Sequence, residues 1–97
     1  MKELETFKEA LEKLFDDETK APTSSEEDGL EYFSNSEIKD QCEELACDLL
    51  ITDDGGCNYP NIRYVRSLGY SVYAGEKDSF GWLTGCIEKD GKVLVYG

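Results

Sequence analysis

The sequence predicts an α+β fold: two or three helices on one face of a small, mainly antiparallel sheet, closed by a C-terminal three-stranded meander. Three observations predict it. Apolar residues recur at helical spacing early in the chain, strand-like runs fill its last third, and "KDGK" at 89–92 holds an Asp-Gly hairpin signal. Ninety-seven residues correspond to one domain, large enough to bury a modest core without disulfides.

The first element is the amphipathic helix of residues 1–15, with Leu4, Phe7, Leu11, Leu14 and Phe15 at three- and four-residue steps. Residues 16–35 read as an acidic, flexible linker containing Pro22, Ser24, Ser25 and Gly29. Its length leaves the first helix either loosely tethered or offered to a partner. The α+β core then occupies residues 36–97 of the same domain.

"FSNSEI" opens that core. Ser34 is positioned to cap a helix, Glu37 to reach back to it, and Phe33 and Ile38 to bridge the cap. The helix that follows places Ile38, Cys42, Leu45 and Leu49 on one face, and the acidic row Glu37, Asp40, Glu44 and Asp48 on another. Leu49 to Thr52 reads as either the end of this helix or a short strand, the strand being preferred. Asn58 is a cap for a third helix with Pro60 in its first turn, Ile62, Val65 and Leu68 buried, and Gly69 at its end. "YSVYA", "GWLTGCIE" and "KVLVY" supply the three strands of the meander.

Charge limits the functions on offer. The chain holds 22 Asp and Glu against 10 Lys and Arg, a formal charge of −12. Residues 1–57 carry 18 acids and 5 Lys, whereas residues 58–97 carry 4 acids and 5 Lys and Arg. Direct binding to nucleic acid or an anionic membrane depends on clustered cations, so neither is expected. A basic protein partner is expected instead. No apolar run approaches the ~20 residues of a membrane span, and the N-terminus lacks the apolar core of a secretory signal, so the expected location is cytoplasmic. Composition selects no oligomeric state.

Cys42, Cys47, Cys57 and Cys86 show no metal-knuckle spacing, and the chain has no histidine. They read as ordinary thiols of a reducing compartment, with neither metal nor cofactor implied. Catalytic machinery is equally thin, because a Ser or Cys nucleophile would lack its usual imidazole base. Nothing selects an enzyme.

Two functional readings follow. In the first, Glu37, Asp40, Glu44 and Asp48 present carboxylates to a basic, nucleic-acid-binding protein and inhibit it. In the second, "TDDGGCN" serves a small ligand, a nucleotide or magnesium-dependent chemistry through Asp53, Asp54, Gly55, Gly56 and Asn58, with Arg63 as a cation and Trp82 as an aromatic floor. The Asp-Asp-Gly-Gly run is also ordinary turn chemistry, Trp82 is ordinary core material, and Arg63 and Arg66 are ordinary solvent-facing cations.

Overall fold

The computed structural model describes residues 2–16, 31–33, 35–77 and 83–96. Its elements are α1 (Lys2–Phe15), β1 (Glu31–Tyr32), α2 (Ser36–Leu50), α3 (Tyr59–Ser67), β2 (Ser71–Lys77), β3 (Leu83–Lys89) and β4 (Lys92–Tyr96). The strands form one sheet in the order β1-β4-β3-β2. Pairing of β2 with β3 and of β3 with β4 is antiparallel, as the meander requires. The fold is α+β, with helices packed against the sheet.

The hairpin between β3 and β4 turns on Asp90 and Gly91, both at positive φ (55° and 81°). That geometry matches the right-handed twist of the flanking strands, and Asp-Gly tolerates it. With Lys89 opposite Lys92 across this tight turn, the register follows strictly: Ile87 meets Leu94 and Gly85 meets Tyr96. Val72 and Ala74 of β2 continue these rows. Val72, Ile87, Leu94 and Tyr96 therefore share the face that is buried under the helices.

Gly85 has a particular role on that face. A Cβ there would lie 2.5 Å from the Tyr73 carbonyl oxygen and 2.5 Å from Cζ and Oη of Tyr96. The missing side chain lets the Tyr96 ring cross its neighbouring strand, where its hydroxyl donates to the Tyr73 carbonyl at 3.4 Å. Close approach at this glycine thus comes from a tyrosine of the same sheet.

The first helix is part of the core. Leu4, Phe7, Ala10, Leu11 and Leu14 are buried, in one cluster with Leu50, Ile62, Ile87 and Leu94. At its C-terminal end, Phe15 packs edge-on against Phe33 at 4.8 Å and Tyr70 at 5.1 Å. These contacts bring both ends of the 16–35 connection together. Among the described residues, no helix is long and apolar enough to cross a membrane.

Four local expectations are corrected. Of the segment expected as linker, residues 17–30 and 34 lie outside the described residues, whereas Glu31 and Tyr32 form β1, which pairs in parallel with the start of β4, Tyr32 opposite Val93. The cap of α2 is Asn35, whose side chain accepts from the Ile38 amide at 3.3 Å, one residue later than expected. Leu49 and Leu50 complete α2 instead of starting a strand, and both are buried by helical position. Only Ile51 keeps an extended conformation, as a single antiparallel bridge to Cys57. Finally, the buried stripe of α2 is Cys42, Ala46, Leu49 and Leu50, with Ile38 and Leu45 at its half-buried margin.

An acidic helix face and a closed glycine loop

Glu37, Asp40, Glu44 and Asp48 are all exposed. At 100° per residue they fall within an arc of about 80°, and the row extends for roughly 17 Å along the axis. Its centre lies about 180° from the Cys42–Ala46–Leu49–Leu50 stripe, so α2 buries one face and presents four carboxylates on the opposite one. None of the four forms an ion pair with a described residue; the ion pair on this helix is Lys39 with Glu43 at 3.4 Å.

A second acidic row, which the sequence reading missed, lies on α1. Glu5, Glu9 and Glu12 are exposed at the same three- and four-residue steps. With Lys8 and the half-buried Tyr64 of α3 they line a cleft of about 280 Å³. Lys8 pairs with Glu12 at 3.8 Å, which leaves the cleft acidic in sum. The spacing was readable in the sequence, but interleaved lysines masked it.

The loop between α2 and α3 closes on itself. The Thr52 amide donates to the Gly56 carbonyl and the Gly55 amide to the Thr52 carbonyl, both at 2.9 Å. Gly55 takes the positive φ (85°) this closure needs. The Gly56 amide is held by Thr52 Oγ1 at 2.9 Å and Asp54 Oδ1 at 3.2 Å. Thr52 Oγ1 also donates to Asp54 Oδ1. These bonds, from the hydroxyl first and the Gly56 amide second, hold the Asp54 carboxyl below its ordinary pKa. Asp53 stays exposed at the tip.

The other residues of the ligand reading are dispersed. Asn58 caps α3, accepting from the Asn61 amide at 3.3 Å. Asn61, the buried polar residue of this helix, donates Nδ2 to the Leu49 carbonyl at 2.8 Å and so ties α3 to the end of α2. Arg63 is exposed. Arg66 reaches the sheet edge, where Nη2 donates to the Val72 carbonyl at 2.9 Å. Trp82 lies outside the described residues.

Arg66 and Cys57 together blunt the free edge of β2. In this register the Val72 and Ala74 carbonyls point away from β3. Arg66 occupies the first, and the Cys57 thiol lies 3.9 Å from the second. Such covering reduces pairing with a foreign strand.

All four cysteines are free thiols. Burial, reinforced by Glu43, pushes the Cys42 thiol up to about 12, and burial raises Cys86 as well. These directions suit small packing residues rather than reactive nucleophiles. Among the described residues, no three His, Cys, Asp or Glu side chains come together as a metal cluster.

This arrangement defines a class: a two-layer α+β protein with an acidic helical surface. No protein-family model, curated protein or solved structure matches the chain.

Proposed function

We propose that this protein is an acidic interaction protein that presents the α2 carboxylate row to a basic site on a nucleic-acid-binding protein and thereby inhibits it. The supporting observation is the placement of Glu37, Asp40, Glu44 and Asp48 as an exposed row opposite the buried stripe. Carboxylates repeating at roughly one helical turn resemble the charge row of a nucleic-acid strand, and such a field speeds encounter by ~10–10³-fold. The α1 acids Glu5, Glu9 and Glu12 add to the same field. A ligand site at the loop draws less support, because the Gly56 amide that a phosphate would need is already held by Thr52 and Asp54.

The test is a pull-down from lysate at low and high salt, followed by competition between the captured protein's nucleic acid and this chain. The wild type should retain a basic partner at low salt and displace its nucleic acid. A variant with Glu37→Gln, Asp40→Asn, Glu44→Gln and Asp48→Asn should do neither. A control neutralised at Glu3, Asp53, Glu88 and Asp90 loses the same number of charges and should behave as wild type. If the control and the row variant fall together, bulk charge explains the capture and the row has no special role.

A further inference from the structure

We draw no further inference here: the strongest candidate, the cleft between α1 and α3 lined by Glu5, Lys8, Glu9, Glu12 and Tyr64, is a cluster of acidic side chains in which nothing among the described residues points to a particular ligand.

Discussion

On α2, the side opposite the core carries Glu37, Asp40, Glu44 and Asp48; on the sheet, the side opposite the core carries Tyr73, Cys86 and Val95. Both elements bury apolar residues in the same cluster, so the folding requirement is alike for both layers. Their outward faces are not under that requirement and differ in kind. One is a charge display that costs a little stability, and the other is an apolar row that costs solubility. The difference teaches that the core accounts for neither outer surface, and that the two can be altered separately.

The largest expected effect concerns the shared core. If the acidic layer is integral to the fold, deleting a contact from α1 must cost as much as deleting one beneath the sheet. Phe7 is fully buried, and Phe7→Ala should lower unfolding free energy by about 3–5 kcal/mol, a large share of the ~5–15 kcal/mol typical of a domain. Urea denaturation measures it. A loss below about 1 kcal/mol would show α1 to be only tethered.

The sheet has its own pressure point. Gly85→Ala places a Cβ against the Tyr73 carbonyl and the Tyr96 ring, both in well-packed surroundings. The ring can retreat only by leaving the core, and the carbonyl belongs to a paired strand. The expected loss is about 1–3 kcal/mol in the same titration. A neutral result would mean that the sheet bends at Gly85 and that its rows are less rigid than the register implies.

What the sequence made legible is what short stretches decide by themselves. Asp90-Gly91 announces its hairpin, Asn58 and Pro60 open α3, and Gly69 closes it at positive φ (99°). The helical face of α1 follows from spacing alone. Features that depend on distant partners were not legible. The pairing of Glu31–Tyr32 with β4 is parallel and spans some sixty residues, with no local signature. Arg66 looked like a solvent cation because its acceptor, the Val72 carbonyl, reaches it only after β2 folds back. At Asn35, two adjacent residues were both competent caps, and the neighbouring chain decided between them. In the loop, turn chemistry accounts for the closure: backbone carbonyls hold the Thr52 and Gly55 amides, and the Thr52 and Asp54 side chains hold that of Gly56.

Alkaline pH probes the boundary between the layers, where Cys42 is buried. Its folded pKa of about 12 exceeds the ordinary value of 9.0. For a group raised on folding, stability is complete below the unfolded pKa and is lost as pH climbs toward the folded one. Between about 9 and 12 this thiol should therefore lower stability progressively as pH climbs. Tyr96 and Tyr70, also raised by burial, act in the same direction. Urea midpoints at several alkaline pH values should fall steadily, and Cys42→Ala should flatten the fall relative to its own value at pH 8. An equal slope in both proteins would assign the loss to other groups.

The smallest effect on stability belongs to the acidic row, and it sorts by position. Glu37 lies in the first turn of α2, where the helix dipole favours an anion, whereas Asp48 lies in the last turn, which has no basic residue. Glu37→Gln should therefore destabilise by roughly 0.3–1 kcal/mol and Asp48→Asn stabilise by a similar amount. Asp40→Asn and Glu44→Gln relieve repulsion between carboxylates four apart, worth about 0.2–0.5 kcal/mol per pair. These terms oppose one another, so the fourfold variant should differ little from wild type at moderate salt, while its stability should respond less to added salt. Denaturation of the four single variants and the combined one, at low and high ionic strength, resolves both points. A fourfold variant that unfolds far more easily would place the row among the structural supports of α2, and any loss of binding in it would then reflect unfolding rather than a lost surface.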